Sequence, residues 1–185
     1  MAVEGLKKKV GRAAMAITTG GFMVGLAFFN AGSAQSIGGL CNGQPASSTW
    51  LDASGQHGPA ILDGTGHDDT IIGSEGDDVI DGRGGDDFIC GAGGNDSISG
   101  GSGHDAIRGD LGDDDIDGNS GDDTVVGDDG HDTVAGGRGY DQLIGGWGDD
   151  VMISGDDGHL DRVDGGDDLD SCIFGAGDEL INCEY

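Results

Sequence analysis

Residues 112–127 read GDDDIDGNSGDDTVVG. Six of the sixteen are aspartate, and three of those are consecutive. Stepping nine residues at a time from Gly112 finds glycine at 76, 85, 94, 103, 112, 121, 130, 139 and 148, with His67 one step earlier. Two residues after each of these positions stands an aspartate: Asp69, Asp78, Asp87, Asp96, Asp105, Asp114, Asp123, Asp132, Asp141 and Asp150. Four residues after each stands an aliphatic side chain, from Ile71 to Met152, and six after stands glycine, from Gly73 to Gly145. A two-residue insertion at Ser154–Gly155 interrupts the pattern. It resumes at His159, Asp168 and Gly177, with Asp161, Asp170 and Glu179 in the acid slots and Val163, Cys172 and Ile181 in the aliphatic slots. Thirteen units therefore run from His67 to the C-terminus, the last three degenerate.

The period excludes two simpler readings of the opening stretch. An acidic disordered run needs no fixed slots. An EF-hand loop fits Asp113, Asp115, Asp117 and Gly118, but its twelfth position requires a bidentate Glu and is Thr124. Flanking helices are also disfavoured among so many glycines.

A nine-residue unit has room for a short strand and a tight turn. Side chains alternate along a strand, so only the aliphatic slot need point inward. Recurring glycines permit turn conformations with positive φ. The expected fold is all-β: a parallel β-roll, a solenoid with two nonapeptides per coil, built from three-residue strands and six-residue turns. Coils stack about 4.8 Å apart, so each aspartate falls over the one eighteen residues earlier. Stacked carboxylates repel, and a cation between them reverses the sign.

Composition agrees with a demand for cations. The chain has 42 Gly and 36 acidic residues against 8 Lys plus Arg, and only 5% aromatics. High charge with little hydrophobicity is a signature of disorder in the absence of a further stabiliser. The N-terminus differs. Lys7, Lys8, Lys9 and Arg12 precede an apolar run from Ala13 to Phe29, followed by Ala31, Gly32, Ser33 and Ala34. That order is expected of a secretory signal peptide spanning 1–34, with no membrane insertion after cleavage. The remaining chain has 4 Arg, 35 acidic residues and a formal charge of −31. Repulsion of this size excludes nucleic acid as a partner.

The unit G-x-D-x-U-x-G, extended to G-G-x-G-x-D-x-U-x, resembles the RTX (haemolysin-type) calcium-binding repeat. Its clearest copies are GGNDSISGG at 93–101 and GDDTVVG at 121–127. The resemblance covers 119 of 185 residues. It implies Ca²⁺ ions between coils, up to about eight in the regular units, held by the ten aspartates from Asp69 to Asp150 with glycine-turn carbonyls. The residue before many of these ligands (Asp68, Asp77, Asp86, Asp113, Asp122, Asp149; elsewhere His104, His131 and Tyr140) is expected to face solvent and raise the local field. A core of one aliphatic row per face is too thin to offset the entropy of ordering the chain, so folding is expected to be coupled to calcium.

Four cysteines in a secreted chain allow three pairings. Cys41–Cys90 with Cys172–Cys183 is favoured. CNGQPASS at Cys41, GGDDFICGAGG around Cys90 and the terminal DSCIFGAGDELINCEY resemble segments of small secreted bacterial calcium-binding RTX proteins. The expected organisation is a signal peptide (1–34), an N-terminal cap segment (35–66), the regular β-roll (67–158) and degenerate repeats with a C-terminal cap (159–185). Residues 41–63, with Trp50 and Leu51, are expected to cover an apolar outer face of the odd-numbered units.

Too few residues remain outside the repeats for an enzyme core, and the histidines share no spacing with a nucleophile. Toxins and proteases with such repeats carry a separate effector domain and a C-terminal export signal; this chain shows an N-terminal one. The RGD tripeptide at Arg108–Asp110 is accounted for by the repeat. The expected function is secreted calcium binding without catalysis. The alternative is an extracellular adhesion or matrix protein with purely structural calcium. The sequence names no protein partner.

Overall fold

A computed structural model describes residues 49–155 and 157–184. The expected signal peptide and Cys41 lie outside the described residues. Among the described residues there is no helix, and fifteen strands follow one another. They are β1 (Thr49–Asp52), β2 (Ile61–Asp63), β3 (Asp69–Ile72), β4 (Val79–Asp81), β5 (Phe88–Gly93), β6 (Ser97–Ser102), β7 (Ala106–Leu111) and β8 (Asp115–Ser120). They continue with β9 (Thr124–Asp129), β10 (Thr133–Arg138), β11 (Gln142–Trp147), β12 (Val151–Ile153), β13 (Arg162–Asp167), β14 (Ser171–Ile173) and β15 (Glu179–Ile181).

Odd strands form one parallel sheet of eight, in the order β1-β3-β5-β7-β9-β11-β13-β15, and even strands form a parallel sheet of seven. This is a β-roll with two repeats per coil. The register is eighteen residues: Ile89 pairs with Ile107, and Ile98 with Ile116. The insertion stretches it to twenty without changing partners, since Leu143 pairs with Val163 and Met152 with Cys172.

The aliphatic slot is the core. Ile71, Ile80, Ile89, Ile98, Ile107, Ile116, Val125, Val134, Leu143, Met152 and Val163 are buried and pack together. Parallel stacking of like residues places β-branched side chains in continuous rows, an arrangement suited to them.

Three local expectations differ from the structure. First, strands β5 to β11 are six residues long, and the turns between them only three. Pairing skips the fourth residue of each, as in β7, where Arg108 and Asp110 are paired across to β9 but Gly109 is not. The chain bends at that glycine and re-enters the ladder through a residue in the left-handed region, such as Asp110 (φ 74°) or Asn119 (φ 73°). Asp and Asn tolerate that region better than most residues, so the bent strand survives the corner.

Second, the roll begins before His67. β2 pairs with β4 in the regular register, Leu62 beside Ile80, and Gly58, Ala60, Leu62 and Gly64 fill the repeat slots with alanine in place of the acid. β1 pairs with β3, Leu51 beside Ile71. Leu51 and Leu62 pack on the end of the core, so 49–63 extend the two sheets rather than lie over an outer face.

Third, the last unit is one residue out of the assumed frame. Leu180, not Ile181, pairs with Val163, and Asp178, not Glu179, takes the acid position. The preceding turn is shorter by one residue, which sequence spacing alone assigned to the wrong side.

The C-terminal coil is closed by a disulfide between Cys172 and Cys183, whose Cα atoms are 5.8 Å apart. Both pack against the end of the core. The expected Cys41–Cys90 pairing lies outside the described residues, because Cys41 does. The RGD tripeptide is built into β7. Gly109 is at the buried corner, Asp110 is buried, and Arg108 forms an ion pair with Asp128.

Candidate metal centre: a ladder of buried carboxylates

Each turn ends on an acid-slot aspartate, held where the chain enters the next strand. All ten predicted ligands, Asp69 through Asp150, are buried, as are Asp161 and Asp170. They line the two edges where the sheets meet, and each edge is a single file. The backbone N–H of Asp69 donates to Asp87 Oδ1 at 2.7 Å, and that of Asp78 to Asp96 Oδ1 at 2.8 Å. The same bond recurs from Asp87 to Asp105, Asp96 to Asp114, Asp105 to Asp123, Asp114 to Asp132, Asp123 to Asp141 and Asp132 to Asp150. Beyond the insertion it runs from Asp141 to Asp161 and Asp150 to Asp170. The structure therefore brings the predicted residues together in the eighteen-residue pairs that the period implies.

From Asp87 onward, one oxygen of each carboxylate is used in this way; at Asp69 and Asp78, Oδ2 also accepts the N–H of Thr65 and Ser74. Oδ2 of Asp87, Asp96, Asp105, Asp114, Asp123, Asp132, Asp141, Asp150 and Asp170 is buried and lacks a hydrogen-bond partner among the described residues. A buried charge without a partner is costly. Burial accordingly raises the carboxyl pKa values. Asp114 is pushed up to about 8, Asp87, Asp96, Asp123 and Asp150 to about 7, and Asp132 and Asp141 to about 6. Desolvation is the largest cause in each. The N–H received from the preceding coil lowers the value, and neighbouring carboxylates raise it.

The turns supply more oxygen. A Cβ built on Gly118 would lie 2.6 Å from Asp123 Oδ2 and 2.7 Å from the carbonyl oxygen of Gly136. A carboxylate and a backbone carbonyl thus approach the same glycine-lined space, which only a residue without a side chain leaves open. Gly121 has φ 141° and passes so close to the Gly103 carbonyl that no Cβ fits there. Among the described residues, no three His, Cys, Asp or Glu side chains cluster as a metal site. An ion in these turns must draw on carbonyls as well as carboxylates. That donor set suits a hard cation such as calcium, which takes six to eight oxygens, and does not suit zinc. The residues present fit Ca²⁺. The aspartate Oδ2 atoms and turn carbonyls would hold it, and it would neutralise the stacked charge.

Sequence reading missed a second ladder. The residues just before the ligands are exposed, as expected, yet most accept a hydrogen bond from the coil above. Asp68 Oδ1 accepts the N–H of Asp86, Asp86 that of His104, His104 Nδ1 that of Asp122, and Asp122 that of Tyr140. On the other edge, Asp77 accepts from Asn95, Asn95 from Asp113, Asp113 from His131, His131 Nδ1 from Asp149, and Asp149 from Leu169. The signal was present in the sequence. Until Tyr140 this slot admits only Asp, Asn and His, which share an acceptor two bonds beyond Cβ.

A parallel β-roll with files of buried aspartate and glycine-lined turns defines a calcium-binding solenoid protein. The profile of the RTX calcium-binding nonapeptide repeat matches the chain in four copies, at residues 63–98, 91–125, 99–134 and 126–158, and the chain belongs to that family. Comparison with curated proteins returns no significant match.

Proposed function

We propose that this is a secreted, non-catalytic protein whose β-roll folds when it binds Ca²⁺, with up to about eight ions in the regular repeats. The observation that carries the reading is the row of buried Oδ2 atoms without partners. In neutral water, the metal-free roll must either desolvate these charges or hold protons on them. The unfolded chain need do neither. A divalent cation removes the penalty only in the folded state, so binding free energy becomes folding free energy.

Three features support secretion: the charged-apolar-small order of residues 1–34, the Cys172–Cys183 disulfide, and the absence of lysine after residue 34. Disulfides persist in oxidising compartments. Far-UV circular dichroism in EDTA, followed by added Ca²⁺, tests the coupling. We expect a coil spectrum that turns to β-sheet on addition; a folded spectrum in EDTA at neutral pH would sink it. Titration calorimetry gives the number of ions, and fractionation of an expressing culture tests export.

A further inference from the structure

We propose that the residue immediately before each ligand aspartate is a positioning residue for calcium, clasping neighbouring turns at the separation the ion requires. The proposal rests on the calcium-binding reading above and concerns residues outside the ligand set.

Two adjacent residues of each turn bond to the same two adjacent residues of the next, in opposite senses. Asp105 donates its N–H forward to the side chain of Asp123, while Asp122 donates its N–H back to the side chain of His104. The pattern repeats with Asp86 and Asp87 against His104 and Asp105. It repeats again on the other edge with Asp113 and Asp114 against His131 and Asp132. A single bond fixes a distance; two opposed bonds also fix the tilt between the turns. Within the folded roll the ligand oxygens and carbonyls therefore meet in one arrangement. Pre-organisation of this kind raises affinity by lowering the ordering cost of binding.

The breaks in the clasp fit the same role. Tyr140 offers no short acceptor to Leu160. There the insertion ties the turns in the opposite sense, with Asp157 Oδ2 accepting the N–H of Gly139 at 2.8 Å. Charge alone does not explain the slot. Asn95, His104 and His131 bond as the aspartates do.

The test compares acceptor, charge and length at two positions in the full chain. Asp86→Asn and His104→Asn keep an acceptor at the same reach; Asp86→Ala and His104→Ala remove it; His104→Gln moves it one bond further out. Calcium midpoints and amide hydrogen exchange at His104 and Asp122 are followed by NMR. We expect the alanine variants to raise the calcium midpoint of the adjoining turns on the order of three- to tenfold, with faster exchange at the freed amide. Asparagine should restore both, and glutamine should not. If Asp86→Asn weakens calcium as much as Asp86→Ala, the slot acts through its field and the proposal fails. It fails equally if the alanine variants speed exchange but leave the calcium midpoint unchanged. A wild-type chain that binds no calcium would instead refute the underlying function.

Discussion

The backbone N–H of Asp105 lies 2.8 Å from Oδ1 of Asp123, one full coil further along the chain. The bond uses half of the carboxylate and leaves Oδ2 buried beside a glycine corner. One residue thus serves as a rung of the backbone ladder and as a ligand, and the two roles can be separated by substitution.

Asp123→Asn keeps an oxygen for the Asp105 amide and removes the charge. We expect it to stabilise the metal-free roll and weaken calcium at the two gaps Asp123 adjoins. Circular dichroism in EDTA and calcium titration should therefore move in opposite directions. A variant less folded than wild type in EDTA would contradict this account.

Acid should partly replace calcium. Burial lifts the folded-state pKa of Asp114 to about 8 and of Asp123 to about 7, above the ordinary 3.8. The folded state therefore holds more protons than the unfolded one between about pH 4 and pH 8, and metal-free stability falls as pH rises through that window. We expect the chain in EDTA to gain β-structure as pH is lowered from 8 towards 4. Calcium competes with the protons of the acid-folded roll, so its binding near pH 5 should release protons, and its affinity should be lower there than at pH 7. Calorimetry in buffers of different ionisation enthalpy measures the release.

Ile116 is fully buried in the middle of the even row. Ile116→Ala should cost about 2–5 kcal/mol in the calcium-loaded state. Because each strand has one such residue, the neighbours cannot fill the gap. Urea melts at saturating calcium check the value.

Gly118→Ala places a methyl group within 3 Å of Asp123 Oδ2 and the Gly136 carbonyl. We expect loss of calcium at that corner, seen as a lower stoichiometry by calorimetry, with the remaining coils still titrating.

The Cys172–Cys183 loop spans eleven residues. Replacing both cysteines with serine should lower stability by about 2–3 kcal/mol. The effect should be strongest at β13 to β15, as read by amide exchange with calcium present.

The core rows and acid files were legible because both depend on one integer period. Once Ile71, Ile80 and Ile89 are placed nine apart, alternation and stacking leave them one position each. The last unit was misread because a single missing residue before Leu180 shifts every later slot, and two acids, Asp178 and Glu179, stand side by side to fit either frame. β2 escaped notice because Ala60 replaces the aspartate, although its N–H still donates to Asp78 Oδ1 at 2.5 Å. The bent six-residue strands could not be read from spacing, since they depend on backbone torsions at Asp110, Asn119 and Asp128. The outer ladder was hidden because its members look like ordinary solvated charges until their acceptors are placed against the next coil.

The chain between Ile153 and Asp161 carries two extra residues, yet Asp141 still finds Asp161 and Leu143 still finds Val163. The fold counts partners rather than residues. A turn of this roll is therefore a natural grafting point. Foreign loops inserted there would leave both sheets and both carboxylate files intact, and would be displayed or withdrawn as calcium came and went.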